Sequence, residues 1–198
     1  MKIGNQIKYW YRKYVPEIIR RILSKPIPFW VRLRYFKIKT QNFDFDVQGH
    51  GEAKKLLEIC TELNIVTGYY VDIGASDGWT SSSTFPFAKS KKFSGLSIEL
   101  DDKKFKKMQY IYKNFPNTHL SKTKVTPLNI LDLLSEFDVP QNFDILNLDI
   151  DSYDLFVISN LLQSFRPKII SMEINEKIPP PIYFTVNYDE HHYWKGDH

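Results

Sequence analysis

The chain has 198 residues, a length that suits one α/β domain with an appendage and allows a sizeable buried core. Hydrophobic residues make up 42% of the chain and aromatic residues 15%, which excludes an intrinsically disordered protein. Its single cysteine, Cys60, excludes an internal disulfide and a cysteine-based metal cluster. A reducing compartment is the simplest interpretation, so we expect a cytoplasmic protein.

The net charge of +4 conceals two regions of opposite sign. Residues 1–40 contain eleven Lys or Arg residues and one acid, Glu17, whereas the rest of the chain carries 16 basic and 22 acidic side chains. We therefore divide the chain into a basic arm, residues 1–40, and a domain, residues 41–198.

The basic arm contains no apolar run near the length of about 18 residues that a membrane span needs. Isoleucines and aromatic residues recur at helical spacing between the basic residues, which is typical of an amphipathic helix in a membrane interface. Peripheral contact with an anionic membrane is one interpretation, and a solvated helix packed on the domain is another. Nucleic acid is not expected as a partner, because no nucleic-acid-binding motif accompanies the charge.

Patterns typical of strands and helices alternate after residue 50. Helices are predicted over 51–64, 101–115, 129–137 and 152–165, and strands over 68–74, 93–100, 118–125, 143–150 and 167–175. This alternation predicts an α/β fold: a Rossmann-like parallel sheet of about five strands with helices on both faces. Ligands of such sheets bind at the carboxyl ends of the strands, near the point where the strand order reverses.

The first strand ends in the turn "VDIGASDG", residues 71–78, which predicts a nucleotide-binding turn. Its glycines permit a sharp turn and a close approach to a ligand, and the next helix offers unpaired N–H groups. The spacing is not G-x-G-x-x-G, because Ser76 and Trp79 occupy the other glycine positions. A dinucleotide is therefore disfavoured. The hydroxyl residues after the turn are expected to cap and pack the next helix.

Acidic residues lie at or just beyond the ends of three predicted strands. Glu99, at the end of the second strand, can accept hydrogen bonds from both hydroxyls of a ribose. Asp149 lies at the end of the fourth strand, with Asp151 and Asp154 just beyond it, and Glu173 lies near the end of the fifth. These carboxylates repel one another unless a cation neutralises them, and Asp149, Asp151 and Glu173 are the candidate oxygen ligands of Mg²⁺. The alternative is that Asp151 and Asp154 only begin the next helix.

These segments resemble class I S-adenosylmethionine-dependent methyltransferases, and within them the FkbM-like group. The resemblance covers residues 68–175 and lies in "VDIGASDGWTS", in "LSIEL" and in "FDILNLDIDSYDLFVISNLL". The departures from the family pattern are Ser76 for the usual Asn, Leu100 for Pro, Asn147 for Lys, and Asp151-Ser152 for an acid-Gly pair.

The resemblance implies a methyltransferase that acts on a hydroxyl of a glycan or small molecule. It implies that S-adenosylmethionine is bound by Asp72, Gly74, Ala75, Gly78, Glu99 and Asn129. A hydroxyl acceptor needs a general base, for which Asp149 is the first candidate and His192, or its neighbour His191, the second. A cationic sulfonium suits an acidic pocket, whereas the phosphates of NAD prefer Lys or Arg.

Only 23 residues follow Asn175, whereas a complete fold of this class continues with a helix and two strands. We therefore expect a sheet that lacks its C-terminal strands, either because the protein is truncated or because another subunit of a homo-oligomer completes it. Two alternatives to an active methyltransferase remain: a degenerate relative that binds the donor or a partner without turnover, and a nicotinamide-dependent oxidoreductase.

Overall fold

The computed structural model describes residues 51–80, 82–173, 188, 189 and 191. The chain divides into two units, residues 1–44 and 45–198, and all the described residues belong to the second. The arm predicted for residues 1–40 lies outside the described residues. No helix within the described ranges is long and apolar enough to cross a membrane.

Five helices and five strands alternate along the described ranges. The helices are α1 (Glu52–Glu62), α2 (Phe85–Ser90), α3 (Asp102–Tyr112), α4 (Ile130–Glu136) and α5 (Asp154–Ser164). The strands are β1 (Gly68–Ile73), β2 (Phe93–Ile98), β3 (Thr118–Ser121), β4 (Ile145–Leu148) and β5 (Ile169–Met172). Each element predicted after residue 50 is confirmed, with somewhat shorter ends. The helix expected after the hydroxyl residues is α2, whose six residues are too few to show helical periodicity.

The strands form one parallel sheet in the order β3-β2-β1-β4-β5. The central strand β1 pairs with both β2 and β4, so that Val71 lies opposite Leu96 on one side and Leu146 on the other. The chain builds outward from β1 to β3 and then crosses to the other side of β1 for β4 and β5. The strand order therefore reverses between β1 and β4, which places a crevice at their carboxyl ends. The predicted α/β Rossmann-like fold is confirmed.

Successive side chains of β1 point to opposite faces of the sheet and enter the packing on both sides. Val71 and Ile73 are fully buried in the core formed with α4 and α5. Tyr70 and Asp72 point to the opposite face, and Tyr70 bonds Thr118 of β3 there. On that face α2 and α3 pack against each other through an edge-to-face contact of Phe85 with Tyr112. Both faces of the carboxyl end of the sheet are thus covered, which leaves the crevice between β1 and β4 as the place for a ligand.

Candidate active site

An open cleft of about 990 Å³ lies at the carboxyl ends of the strands, at the point where the strand order reverses. Acidic side chains from several elements line it: Glu52, Asp72, Glu99, Asp101, Asp102, Asp149, Asp151 and Glu173. The lysines that line it are Lys104, Lys122 and Lys124. The cleft therefore carries an excess of negative charge, which suits a cationic ligand better than a phosphorylated one.

Asp72, at the end of β1, is held on both carboxylate oxygens by neighbouring side chains. The Thr84 hydroxyl donates to its Oδ2 at 2.6 Å, and the Asn147 amide donates to its Oδ1 at 2.9 Å. Only 1% of Asp72 is exposed. Burial raises the pKa of Asp72, and the two hydrogen bonds oppose that shift. Asp72 thus connects β1, β4 and the start of α2. Its main role is to hold these elements in the positions that form the cleft.

Glu99, at the end of β2, fixes the turn that follows β1. Its Oε2 accepts from the backbone N–H of Ser76 at 2.8 Å, and its Oε1 accepts from that of Asp101 at 2.7 Å. Ser76 has a φ of +54°, a left-handed conformation that the hydrogen bond to Glu99 stabilises. Each Glu99 oxygen retains a lone pair for a further donor. Glu99 can therefore hold the turn and bind hydroxyl groups at the same time.

The glycines of the turn are required by contacts within the protein. Gly74 has a φ of +86°, and a β-carbon there would lie 1.7 Å from the backbone carbonyl oxygen of Asp149. At Gly78, a β-carbon would lie 2.6 Å from Tyr112 and 2.8 Å from Met108. The close packing of β1 on β4 and on α3 explains both glycines without a ligand. Gly74 lines the cleft, and Gly78 is buried beneath it against α3.

The three predicted metal ligands come together at the β4–β5 end of the cleft. Carboxylate oxygens of Asp149, Asp151 and Glu173 all lie within 4.8 Å of one another, and all three residues are exposed. Asp154 does not join them, because its two oxygens accept from the backbone N–H groups of Ile150 and Ser152. The interpretation of Asp154 as a helix-start residue is thus confirmed, and the three remaining carboxylates can hold a proton or a cation.

Asp149 has the electrostatic surroundings of a general base. Its side chain is open to the cleft, yet the neighbouring protein removes part of its hydration and raises its pKa to about 6. Negative charge on Asp151 and on Glu173 adds to this rise. A carboxylate with a pKa near 6 is ionised at neutral pH and still basic enough to accept a proton from a substrate.

Two hydroxyl residues after the turn support the acidic cleft, a role that the sequence did not indicate. Thr84 bonds Asp72, and Ser83 donates to Oε2 of Glu52 at 3.0 Å. Ser82 meets the expectation of a capping residue, because its hydroxyl accepts from the backbone N–H of Phe85 at the start of α2. Glu52 was not predicted as a site residue. The one sequence feature that could have indicated Glu52 is its position at the start of α1, the helix that precedes β1.

The remaining predicted residues lie in different places. Ala75 lines the cleft. The Asn129 side chain accepts from the N–H of Thr126 and donates to the carbonyl of Lys124, so it orders the loop before α4, and it does not line the cleft. His192 lies outside the described residues. His191 is exposed in a turn, where its backbone N–H donates to Asp189.

No protein-family model and no curated protein matches the chain. Among solved structures, it is similar to the hypothetical protein TTHA0928 of Thermus thermophilus, with a TM-score of 0.50, 12% identity, and coverage of 72% of this chain and 82% of that one. It is also similar to an S-adenosylmethionine-dependent methyltransferase from Clostridium acetobutylicum, with a TM-score of 0.45, 16% identity, and coverage of 74% and 57%.

A third similar structure is the N-terminal domain of EvdMO1 with SAH bound, with a TM-score of 0.45, 13% identity, and coverage of 61% of this chain and 48% of that one. The chain thus spans about half the length of these last two structures. At these identities the comparisons show the fold alone. No comparison identifies the FkbM-like group.

Proposed function

We propose that the chain is an S-adenosylmethionine-dependent methyltransferase that binds its donor in the acidic cleft between β1 and β4. The observation that carries the proposal is the position of Glu99. It ends the strand next to β1, fixes the turn after β1 with one hydrogen bond, and lines the cleft with capacity for further donors. That arrangement suits the two hydroxyls of a ribose beside a backbone turn.

The size and charge of the cleft support this donor. A volume of about 990 Å³ lies in the range of small-molecule sites, which extends to roughly 1,000 Å³. Carboxylates outnumber lysines in the lining of the cleft, and this excess attracts a sulfonium cation and repels a pyrophosphate. A nicotinamide dinucleotide is disfavoured on the same ground. Bound S-adenosylmethionine would supply an electrophilic methyl group on a positively charged sulfur.

The chain's own residues would do the rest by positioning and proton transfer. Glu99 would hold the ribose, while Asp72 holds β1, β4 and the start of α2 together. We propose that the acceptor is a hydroxyl of a glycan or small molecule and that Asp149 would accept its proton as the O–CH₃ bond forms. The S–CH₃ bond would break in the same step, with S-adenosylhomocysteine as the leaving group. In-line methyl transfer depends mainly on the alignment of the two reactants. The rigid turn after β1 and the adjacent base would provide that alignment.

A divalent cation is a second proposed ligand of the same cleft. Asp149, Asp151 and Glu173 offer only oxygen ligands, which Mg²⁺ prefers. Bound there, a cation would lower the pKa of Asp149 and of a hydroxyl that contacts it. Calorimetric titration with Mg²⁺, with and without the donor, tests this. Binding that survives the Asp151→Ala substitution unchanged would exclude the site.

The experiment for the donor is calorimetric titration of the full chain with S-adenosylmethionine, S-adenosylhomocysteine and NADH. We expect both adenosyl compounds to bind and NADH not to bind. Glu99→Gln should weaken donor binding by roughly 10- to 100-fold, since a hydrogen bond to a charged group contributes about 1.5–3 kcal/mol. A folded chain that binds neither adenosyl compound would overturn the proposal.

The matched control is Asp149→Asn, which removes a carboxylate from the other end of the cleft. It should retain donor binding within about threefold and lose most transfer of a radiolabelled methyl group to hydroxyl acceptors, because a general base contributes roughly 10²–10⁴-fold in rate. A donor that binds with no transfer to any hydroxylated sugar or amine would instead identify a binding protein without turnover.

A further inference from the structure

The outer side of α3 carries a stripe of lysines. Phe105, Met108, Ile111 and Tyr112 are buried against the sheet. At 100° per residue, the opposite side of the helix presents Lys103, Lys106, Lys107 and Lys113, with Tyr110 among them. All four lysines are exposed, and we refer to them as the lysine stripe.

The neighbouring acids Asp101 and Asp102 offset the charge of the lysine stripe only in part. The Asp101 carboxylate accepts hydrogen bonds from the backbone N–H groups of Lys103 and Lys104, and Asp102 forms an ion pair with Lys122. Within the described ranges, no carboxylate forms an ion pair with any lysine of the stripe. Lys113 lies over the ring of Tyr110, 5.5 Å from its centroid. The four lysines outnumber the two neighbouring acids, so the stripe presents a net positive charge.

The basic surface extends beyond α3. The Asn117 side chain reaches the carbonyl of Lys91 at 3.5 Å, which places the turn after α2 beside the C-terminal end of α3. Lys91 and Lys92 in that turn are both exposed. On the opposite face of the sheet, α4 and the turn after it carry Asp132, Glu136 and Asp138, with no lysine or arginine. The segment of α4 and its following turn thus carries a charge opposite to that of the lysine stripe.

We propose that the lysine stripe, together with Lys91 and Lys92, binds an anionic lipid surface. The charge favours such a partner, because each lysine near an anionic membrane adds to its attraction. Arg166 is the only arginine beyond residue 34, so this surface lacks the bidentate donors typical of nucleic-acid recognition. Tyr110 within the stripe is a residue type enriched at membrane interfaces.

The charge of the lysine stripe does not favour binding of the first 40 residues of the chain. They carry eleven basic residues and one acid, the same sign as the stripe. An anionic membrane can attract both regions at once. The first turn of α3 lies at the rim of the cleft, where Lys104 lines it. A membrane bound along the stripe would therefore lie beside the opening of the cleft.

The test is co-sedimentation of the full chain with vesicles rich in phosphatidylserine, compared with vesicles of phosphatidylcholine alone. The variant Lys103→Gln/Lys107→Gln keeps side-chain length and helix propensity while removing two charges. We expect its apparent affinity for the anionic vesicles to fall about 25-fold, or about fivefold for each lysine neutralised. Binding of the unmodified chain should also weaken steeply with salt.

The matched control is Lys54→Gln/Lys55→Gln, which removes the same charge from two exposed positions of α1. It should lower the affinity by less than about threefold, because a long-range effect of net charge alone is screened by salt. Equal losses in the two double variants, or no loss in the α3 variant, would overturn the proposal. So would binding of single-stranded RNA that depends on Lys103 and Lys107 in the absence of vesicle binding. Circular dichroism of both variants verifies that they are folded.

Discussion

The cleft contains two groups of carboxylates at equivalent strand ends, and they differ in what surrounds them. On the β1–β2 side, Asp72 and Glu99 are 1% and 7% exposed, and each of their oxygens accepts a hydrogen bond from the protein. On the β4–β5 side, Asp149 and Asp151 are exposed. Their side chains accept no hydrogen bond from the described residues.

This difference separates residues that build the site from residues that are available for chemistry. A buried carboxylate is tolerated only when donors replace its hydration, so Asp72 holds β4 and Glu99 holds the turn, although Glu99 also keeps lone pairs for a ligand. Open carboxylates keep their capacity for a proton, a cation or a substrate. Substitutions on the two sides should therefore change the free energy of unfolding in opposite directions.

The largest effect is expected for Asp72→Ala. The substitution leaves the buried Thr84 hydroxyl and the Asn147 amide without their acceptor, and it opens a cavity beneath the turn. We expect the free energy of unfolding to fall by about 3 kcal/mol at pH 7. Urea unfolding followed by circular dichroism measures this change.

The control for Asp72→Ala is Glu136→Ala, an exposed acid of α4 on the far face of the sheet. It should change the free energy of unfolding by less than about 0.5 kcal/mol. Equal values for the two variants would show that the hydrogen bonds of Asp72 do not hold β1 to β4 and to the start of α2.

Local patterns in the sequence were enough to predict the strands, most helices and the place of the site. The buried run before Gly74 and the acid after each of three strands carry that information, because parallel strands bring their carboxyl ends together. The Asp149, Asp151 and Glu173 cluster was predictable in the same way. All three follow strands that are adjacent in the sheet.

Contacts between distant parts of the chain could not be predicted. The bond from Ser83 to Glu52 and that from Thr84 to Asp72 depend on how α1 and α2 pack on the sheet. The sequence also did not reveal why position 74 requires glycine, because a glycine near a strand end is equally consistent with a ligand contact and with a backbone contact. Only the structure shows that the Asp149 carbonyl fills the space.

The effect of intermediate size is expected for Asp149→Asn. The folded-state pKa of Asp149 is raised to about 6, whereas an unfolded aspartate has a pKa of about 3.9. Folding therefore favours the protonated form, and ionisation destabilises the folded state once the pH exceeds the unfolded value. This cost grows as the pH rises from about 4 to about 6 and is then fully present.

Because an amide cannot ionise, Asp149→Asn should be about 1 kcal/mol more stable than the unmodified chain at pH 7. This is less than the pKa shift alone would imply, since the side chain is open to solvent. The advantage should disappear below about pH 4, where both chains are uncharged at this position. Thermal and urea unfolding from pH 4 to pH 8 measures it. A difference that stays constant over this range would contradict the assignment of the shift to Asp149.

The smallest effect is expected at Asp151, which has a φ of +55° in the left-handed region. Asp151→Gly should be about 0.5–1 kcal/mol more stable than Asp151→Ala, because glycine adopts this conformation without a β-carbon clash. Both substitutions remove the same charge and should lower the pKa of Asp149 equally, as followed by carbon-13 NMR of its carboxyl group. If the two variants differed in that pKa but not in stability, the backbone rather than the charge of Asp151 would control the base. Equal pKa values with unequal stabilities would instead separate the two roles of this residue, one in the conformation of the turn and one in the charge of the cleft.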